Sequence, residues 1–486
     1  MRLRTSVLLL RPKQPMLKPE TTQRLLTLTI DFFSFNLAFL LYYAIRNSIH
    51  FVAFTEQAPM LVLPMLTLTV GWILIFWLFG LYRDWRFSSR YEEAVTVLKA
   101  ITFGTFLLFI LIFADDVAEF HADDMPRTYS SRYGAALYWL VLCSVMPVGR
   151  LIQRSYQRRL LVEKGIGRRR AVIIGTGQRA LSLASDIAQH PALGLDVVGF
   201  IKECSHATSL PSRTLGDLDD LEDLLTRHNI AEVIIAMQSA KHDDLLRVIG
   251  RCEGKNISLK ILPDMYDILS GAARTTQIYG TPLIELSPPS LTPFAENLKR
   301  LFDIVFSLSA LIFLSPVLIL IAFIVWYDTK ASPIYCQTRV GRHGRHFTIY
   351  KFRSMHKDAE NGVPMLTQKD DARITSFGKF LRKYRLDELP QFWNVLIGDM
   401  SIVGPRPERP YFVEQLKAIA PHYARLHRVR PGITSWGQVK FGYASNLDEM
   451  LERMKYDLFY VENMSLSMDF KILLATIYVI FAGRGQ

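Results

Sequence analysis

In the stretch RKYRLDELPQFWN, residues 382–394, two adjacent carboxylates, Asp387 and Glu388, follow Arg382, Lys383 and Arg385 and stand just ahead of Pro390. Neighbours on a helix point about 100° apart, so this pair is poorly placed to share one proton and well placed to take two tasks. Proline is tolerated only in the first turn of a helix. That puts the pair at or near a helix N-terminus, where unpaired amides favour anions and keep both acids ionised. An ionised aspartate is a competent nucleophile toward phosphorus once nearby cations screen its repulsion from the substrate. Glu388 suits a Mg²⁺ that bridges phosphate oxygens and neutralises a leaving group. The plainer reading, two acids that only complement a helix dipole, fits the same residues until their context is considered.

That context is basic and rich in loops: RVGRHGRHFTIYKFRSM (339–355), GDMSIVGPRPERP (398–410) and RVRPGITSWGQ (428–438). Guanidinium groups offer planar paired donors and stay charged at any working pH, which is what a phosphate-bearing ligand requires. A run of charge is usually a solvated face, but here Gly, Pro and aromatic residues are interleaved with it, as in loops that approach a ligand. Nucleic acid would use the same arginines while leaving the acids and the apolar segments unexplained.

The elements that must position these residues begin in a membrane. The chain has 486 residues, half of them hydrophobic, and a formal net charge of +12, too apolar for an ordinary soluble protein of this size. Apolar stretches near Leu25–Ala44, Met60–Phe79, Ala100–Ala114 and Gly134–Val148 approach the length of a bilayer-crossing helix, the third and fourth needing flanking residues. Arg2, Arg4, Arg11, Lys13 and Lys18 precede the first, Arg83, Arg86 and Arg90 follow the second, and Arg150, Arg154, Arg158 and Arg159 follow the fourth. The positive-inside rule places these in the cytoplasm, and the loop carrying Asp115, Asp116, Glu119, Asp123 and Asp124 outside. The first run is long, begins late and lacks a cleavage pattern, unlike a signal peptide. Cys143, Cys204, Cys252 and Cys336 have no paired spacing and read as buried free thiols.

From Arg168 the pattern becomes short apolar runs, AVII (171–174), VVGFI (197–201), EVIIAM (232–237) and ISLKIL (257–262), alternating with helical segments as in a parallel α/β domain. Its first turn, GTGQRA, holds Gly175, Gly177 and Ala180, where amides opening a helix could hold a phosphate. The acid expected to bind a ribose is missing at the usual place, since Asp196 comes early and Glu203 late. A nucleotide-free structural or regulatory domain is the reading adopted.

The run LFDIVFSLSALIFLSPVLILIAFIVWY (301–327) is long enough for a fifth crossing. Lys299 and Arg300 precede it and Lys330, Arg339, Arg342 and Arg345 follow it, which leaves no charge bias between its ends. Pro316 removes a backbone donor near its middle and Ser315 offers a hydroxyl to a freed backbone group. A helix that breaks at Ser315-Pro316 and returns to the same face fits, as does a kinked spanning helix.

The last 190 or so residues resemble the catalytic domain of the bacterial polyprenyl-phosphate glycosyl-1-phosphate transferases. The resemblance is carried by KRLFDIVFSLSALIFLSP, QTRVGRHGRHFTIYKFRSM, DARITSFGKFLRKYRLDELPQFWNVLIGDMSIVGPRP, VRPGITSWGQV and YDLFYVENMSLSMDFKILLATI in that order. The preceding segments look like the large, multi-domain branch of that family, so the resemblance covers nearly the whole chain and is weakest between 160 and 290. It implies that Asp387 attacks the β-phosphate of a UDP-sugar, expels UMP and becomes a phospho-sugar aspartate. A polyprenyl (undecaprenyl) phosphate then takes the sugar phosphate, the first membrane step of exopolysaccharide, capsule or O-antigen synthesis. Glu388 would help bind Mg²⁺. Pro405, Arg406 and Pro407 match an element associated with the nucleotide, Arg382 and Lys351 match basic positions near the diphosphate, and Arg353 joins the substrate-binding set. Ser315 and Pro316 match the break of a re-entrant membrane helix, which favours return over crossing. One departure, SPIYCQTRVG with Tyr335-Cys336, touches none of these roles.

The implied fold is a membrane protein, α and α/β. It has a cytoplasmic segment (1–24), four transmembrane helices (25–150), a Rossmann-like α/β domain (151–290) and a mostly helical catalytic domain (291–486) with a re-entrant helix over 299–327. The α/β and catalytic domains would face the cytoplasm at the bacterial inner membrane. The C-terminal run MSLSMDFKILLATIYVIFAG suits either the bilayer interface or plain packing. The sequence is compatible with a homodimer and with glucose, galactose or N-acetylated hexoses as the sugar. Rival classes are a membrane-bound nucleotide-sugar dehydratase or epimerase, for which no Tyr-x-x-x-Lys couple follows GTGQRA, and a non-catalytic scaffold, which would survive loss of both acids.

Overall fold

The four apolar stretches form helices α1 (Pro19–Arg46), α2 (Phe54–Leu78), α3 (Arg90–Glu119) and α4 (Thr128–Glu163). Each contains a segment long and apolar enough to cross a membrane. The third and fourth gain their length from polar flanks: α3 starts at Arg90 and α4 continues past residue 150 to Glu163. The computed structural model describes residues 19–46, 54–83, 90–119, 128–202, 213–237, 242–252, 257–262, 283–286, 291–356, 371–442 and 444–481. Arg2, Arg4, Arg11, Lys13, Lys18, Arg86, Asp123, Asp124, Glu203 and Cys204 lie outside them. Asp115, Asp116 and Glu119, expected in a loop, instead belong to the end of α3.

Contacts divide the chain into two compact units, Met1–Arg169 with Ile187–Asp196, and Arg170–Asp186 with Val197–Gln486. In the first, Phe35, Trp72, Phe76, Ile101, Leu142 and Met146 form a buried core, and Trp72 Nε1 donates to the Tyr138 hydroxyl at 3.0 Å. Arg150 donates to Asp31 of α1 at 2.9 Å and to Glu93 of α3 at 3.2 Å, and Arg154 also binds Glu93. Arg150 and Arg154, read from the sequence as cytoplasmic charge markers, are also internal ties among three helices. Buried ion pairs of this kind specify which helices meet more than they stabilise them.

In the second unit the sheet order is β3-β2-β1-β4-β5-β6, the strand order of doubly wound dinucleotide folds. The strands are β1 (Arg169–Ile174), β2 (Leu195–Lys202), β3 (Thr214–Asp217), β4 (Glu232–Ile235), β5 (Ser258–Ile261) and β6 (Ile284–Glu285). Pairs β2–β3, β1–β4 and β4–β5 are parallel, and β6 is antiparallel to β5. The four apolar runs became β1, β2, β4 and β5. Helices α5 (Gln178–Gln189), α6 (Leu221–Arg227) and α7 (His242–Cys252) accompany them. In the GTGQRA turn the Gly175 amide already donates to the Ile201 carbonyl at 2.9 Å.

The long apolar run forms α8 (Pro293–Phe313) and α9 (Ser315–Thr329), bent by 64° across Leu314. Pro316 lacks the amide that would reach the Ile312 carbonyl four residues back, and Ser315 Oγ donates to that carbonyl at 2.8 Å. The Ile312 carbonyl therefore keeps a donor at the break, as a bend in a membrane requires. Cys143 is half-buried and Cys252 buried, but Cys336 is exposed, against the expectation of four buried thiols: it lies on β7 (Ile334–Val340), a strand of a two-stranded hairpin.

Candidate active site

Strand β7 pairs with β8 (His346–Phe352) in an antiparallel hairpin whose register sets Tyr335 opposite Lys351. Helix α10 (Ser376–Lys383) starts at a Thr375 cap against the carbonyl of Ser354. Gly378 makes this approach feasible, since a Cβ there would lie 2.1 Å from the Ser354 oxygen. After α10, Arg385 adopts a left-handed conformation (φ 55°) and turns the chain into a 3₁₀ turn over Leu386–Glu388. Helix α11 (Gln391–Ile397) follows, with Pro390 as its N-cap. Pro390 thus sits one position ahead of the first helical turn expected for it.

The acids occupy the 3₁₀ turn, where successive side chains diverge by about 120°. Their neighbours Leu386 and Leu389 pack with Ile321 and Val325 of α9 and with Phe352 and Leu381, so the apolar residues of this turn rest on the re-entrant limb. Asp387 and Glu388 are both buried. Glu388 Oε1 accepts from Lys351 Nζ at 2.9 Å and from Arg406 Nη1 at 3.3 Å. Arg385 stands 3.8 Å from Oε2, a buried oxygen that accepts no hydrogen bond among the described residues.

The two carboxyls titrate apart. Burial, reinforced by the adjacent Glu388 charge, raises Asp387 above its ordinary value despite Lys351, Arg382 and Arg406. For Glu388, burial acts in the same sense but is outweighed by Lys351, Arg406 and Arg385, which hold it well below the ordinary range. The expectation that helix amides keep both acids ionised is refined: the acids precede α11, and burial and the neighbouring charged side chains shift them in opposite directions.

Lys351, Arg382 and Arg406 all act on the pair. Arg382 also donates to Ser354 Oγ at 2.9 Å. Arg353 turns elsewhere, donating to the Ser332 carbonyl at 2.9 Å with its guanidinium over the Tyr335 ring at 5.9 Å. Pro405, Arg406 and Pro407 follow β9 (Ser401–Val403), which pairs with β10 (Gly432–Thr434). Arg339 of β7 donates to the Pro407 carbonyl at 3.0 Å and to Glu408 at 3.2 Å. The Arg406 amide donates to buried Asp457, on a helix spanning Leu447–Glu462. The loop carrying Arg406 is thereby held on both sides.

Three contributors lay outside the residues singled out in the sequence. Asn394, fully buried on α11, accepts from the Tyr350 amide at 3.1 Å and donates to the Thr348 carbonyl at 2.7 Å. It fixes α11 to the free edge of β8 beside Lys351. Arg385 and Asp457 are the others. An asparagine in an apolar helical stretch is the one available signal, because a buried amide needs partners.

Residues 294–483 match the bacterial sugar transferase family, and residues 77–263 match a family described as a CoA-binding domain. The chain is 31% identical over 411 residues to the UDP-glucose:undecaprenyl-phosphate glucose-1-phosphate transferase of Klebsiella pneumoniae, covering 83% of this chain and 85% of that protein. It is 31% identical over 445 residues to the transferase of the same description from Xanthomonas campestris pv. campestris, covering 89% of each. It is 37% identical over 249 residues to the UDP-N-acetylgalactosamine-undecaprenyl-phosphate N-acetylgalactosaminephosphotransferase of Aeromonas hydrophila, covering 50% of this chain and 58% of that one. With the acid pair, the cation set and the broken apolar helix in one unit, the chain belongs to the bacterial sugar transferase family.

Proposed function

We propose that this chain is a membrane phosphotransferase that moves a sugar 1-phosphate from a UDP-sugar to a polyprenyl phosphate and releases UMP, with Asp387 as nucleophile. The observation that carries this reading is the unequal setting of the two acids. Glu388 is committed to Lys351, Arg406 and Arg385, whereas Asp387 is only partly neutralised by Lys351, Arg382 and Arg406 and is left to react.

In the first half, an Asp387 oxygen forms a bond to the β-phosphorus while the bond from that phosphorus to the bridging oxygen breaks. The electron pair leaves with UMP, and the sugar phosphate stays on Asp387 as an acyl phosphate. In the second half, an oxygen of the lipid phosphate attacks the same phosphorus and Asp387 departs as a carboxylate. Lys351, Arg382 and Arg406 screen the approach of anion to anion in both halves, as preorganised charges that need no rearrangement during reaction.

A Mg²⁺ fits the residues present. Glu388 Oε2 is a buried, unbonded carboxylate oxygen, and no group of three or more His, Cys, Asp or Glu able to hold a metal occurs among the described residues. Substrate phosphate and water would supply the remaining ligands, as Mg²⁺ prefers. When bound, the ion would neutralise charge on the phosphate oxygens.

Exopolysaccharide, capsule or O-antigen synthesis is the corresponding pathway class, and the cytoplasmic face of the inner membrane the corresponding location. The relatives' names differ in their sugar, so the test is UMP release across a panel of UDP-sugars with polyprenyl phosphate. One UDP-sugar should support release and Asp387→Asn should abolish it. Full activity in Asp387→Asn would remove the nucleophile assignment, as would the absence of a phospho-sugar label on wild-type protein given UDP-sugar without lipid.

A further inference from the structure

The acid pair does not use all the arginines that mark the stretches 339–345 and 428–438. Arg342, Arg428 and Arg430 instead meet Lys299 and Arg300 of α8 around a separate cavity of about 110 Å³, whose only acidic lining residues are Glu296 and Asp303. No lining residue of this cavity is one of the cations bound to Glu388. Arg300 and Arg430 stand at the C-terminal end of α11, whereas the acids precede its N-terminal end. A helix of that length separates its ends by roughly 10 Å.

The carboxylates do not balance the cavity. Lys299 is taken by Asp469 at 2.7 Å, Arg342 stands 3.6 Å from Glu296, and Arg428 stands 3.9 Å from Glu462. Asp303 accepts from the Ile402 amide at 3.1 Å. Arg300 and Arg430 are left without an ion pair to any described carboxylate. Arg300 donates to the carbonyls of Val395 at 2.7 Å and Leu396 at 3.0 Å, and Arg430 Nε donates to Gly398 at 2.9 Å. Capping the end of α11 accounts for these bonds, but it leaves the two terminal nitrogens of Arg430 without a partner among the described residues. Burial, then repulsion from Arg300, holds the Arg430 guanidinium below its ordinary value.

We propose that this cavity is a second anion site, in which Arg430 and Arg300 bind the phosphate of a mono- or diester, distinct from the phosphates that react at Asp387. A guanidinium offers two parallel N–H groups to such an oxyanion. The volume, several times the ~10–15 Å³ that one water requires, admits a phosphate group. The same chemistry is carried by a phospholipid headgroup and by free phosphate. Arg300 lies on the first limb of the broken apolar helix, so either source can reach it. The inference does not depend on the proposed reaction.

Hydrogen exchange on the full-length protein tests it. The amides to follow are those of Gly398–Ile402 and Arg430–Gly432, first in neutral detergent with inorganic phosphate against sodium chloride of equal ionic strength. The second arm uses phosphatidylcholine nanodiscs with and without phosphatidylglycerol, free of phosphate. At ten times its dissociation constant a bound anion slows global or coupled opening about tenfold. Slowing by phosphate alone assigns a soluble anion, and slowing by phosphatidylglycerol assigns the headgroup. Arg430→Gln should lose the response, Arg430→Lys should keep part of it, and Asp387→Asn should keep all of it, which separates this site from the reaction. No slowing of these amides in wild-type protein by either probe overturns the proposal even if Arg430→Gln fails to fold, and an undiminished response in folded Arg430→Gln overturns it too.

Discussion

Lys351 Nζ stands 2.9 Å from Glu388 Oε1, and Arg406 reaches the same oxygen at 3.3 Å. One carboxylate oxygen thus collects two cations, while its twin has Arg385 at 3.8 Å and accepts no hydrogen bond among the described residues. Removing Lys351 alone exposes Glu388 to its burial cost, whereas removing both charges does not. Lys351→Met should therefore lower the melting temperature more than Lys351→Met combined with Glu388→Gln, as read by thermal unfolding in detergent. UMP release should fall by about 10² or more in either protein, since one electrostatic donor at the reacting centre is lost. Equal melting temperatures for the single and double variants would refute the assignment of this pair as mutually compensating.

In the proposed reaction Asp387 acts as a carboxylate, and its ordinary value of 3.8 is raised by burial and by Glu388. Single-turnover UMP release should then decline, as pH falls, at a higher pH than an ordinary aspartate would give. Arg382 pulls that value down. Arg382→Gln should accordingly move the acidic limb of the rate profile to higher pH, in addition to lowering the rate. A shift to lower pH would contradict the charge arrangement described.

Asn394 stands in for a neighbouring strand by bonding both Tyr350 and Thr348. Asn394→Leu leaves the part-buried Tyr350 amide and Thr348 carbonyl of β8 without these partners, at up to about 1–3 kcal/mol each. Chemical denaturation should register a loss of that order, and turnover should drop because Lys351 is carried on the same strand. Wild-type stability in Asn394→Leu would mean that β8 is held by other contacts.

Arg353 is a contrasting case. Its guanidinium is committed to Ser332 and Tyr335, so Arg353→Ala should change kcat/KM for UDP-sugar by less than Arg406→Ala does, by about tenfold or more. Equal losses would return Arg353 to the substrate-binding set.

The break in the apolar run makes a prediction about topology. Ser315→Ala with Pro316→Ala gives residue 316 an amide aimed at the Ile312 carbonyl and removes the hydroxyl that now serves it. The bend of 64° should relax toward a continuous helix. A cysteine-labelling reporter placed after α9 should then become partly accessible from the opposite face of the membrane. Unchanged labelling would mean that packing of α9, and not the break, sets the return.

Much of this was readable from residue order. Four spans, the strands β1, β2, β4 and β5 and the Ser315-Pro316 break follow from apolar runs, periodicity and the missing proline donor. Strands β3 and β6 did not, because TLGD has a single apolar residue and no buried position, and β6 has only two residues. The acid pair was visible, but its asymmetry was not. That asymmetry depends on Lys351 and Arg406, which are 37 and 18 residues away from Glu388 and meet it only through the β7–β8 hairpin and the loop after β9. Arg353 is a basic residue in a basic stretch whose local bonds, to a carbonyl and over a ring, residue order did not reveal.

Leu386 and Leu389 rest on Ile321 and Val325, and this contact works as a depth gauge. Asp387 lies between two leucines seated on the second limb of the broken apolar helix, so a displacement of α9 carries the acid with it. In the proposed reaction bilayer thickness then becomes a variable of the chemistry: a lipid that shifts α9 along the bilayer normal would shift Asp387 with it, toward or away from the lipid phosphate it is proposed to serve.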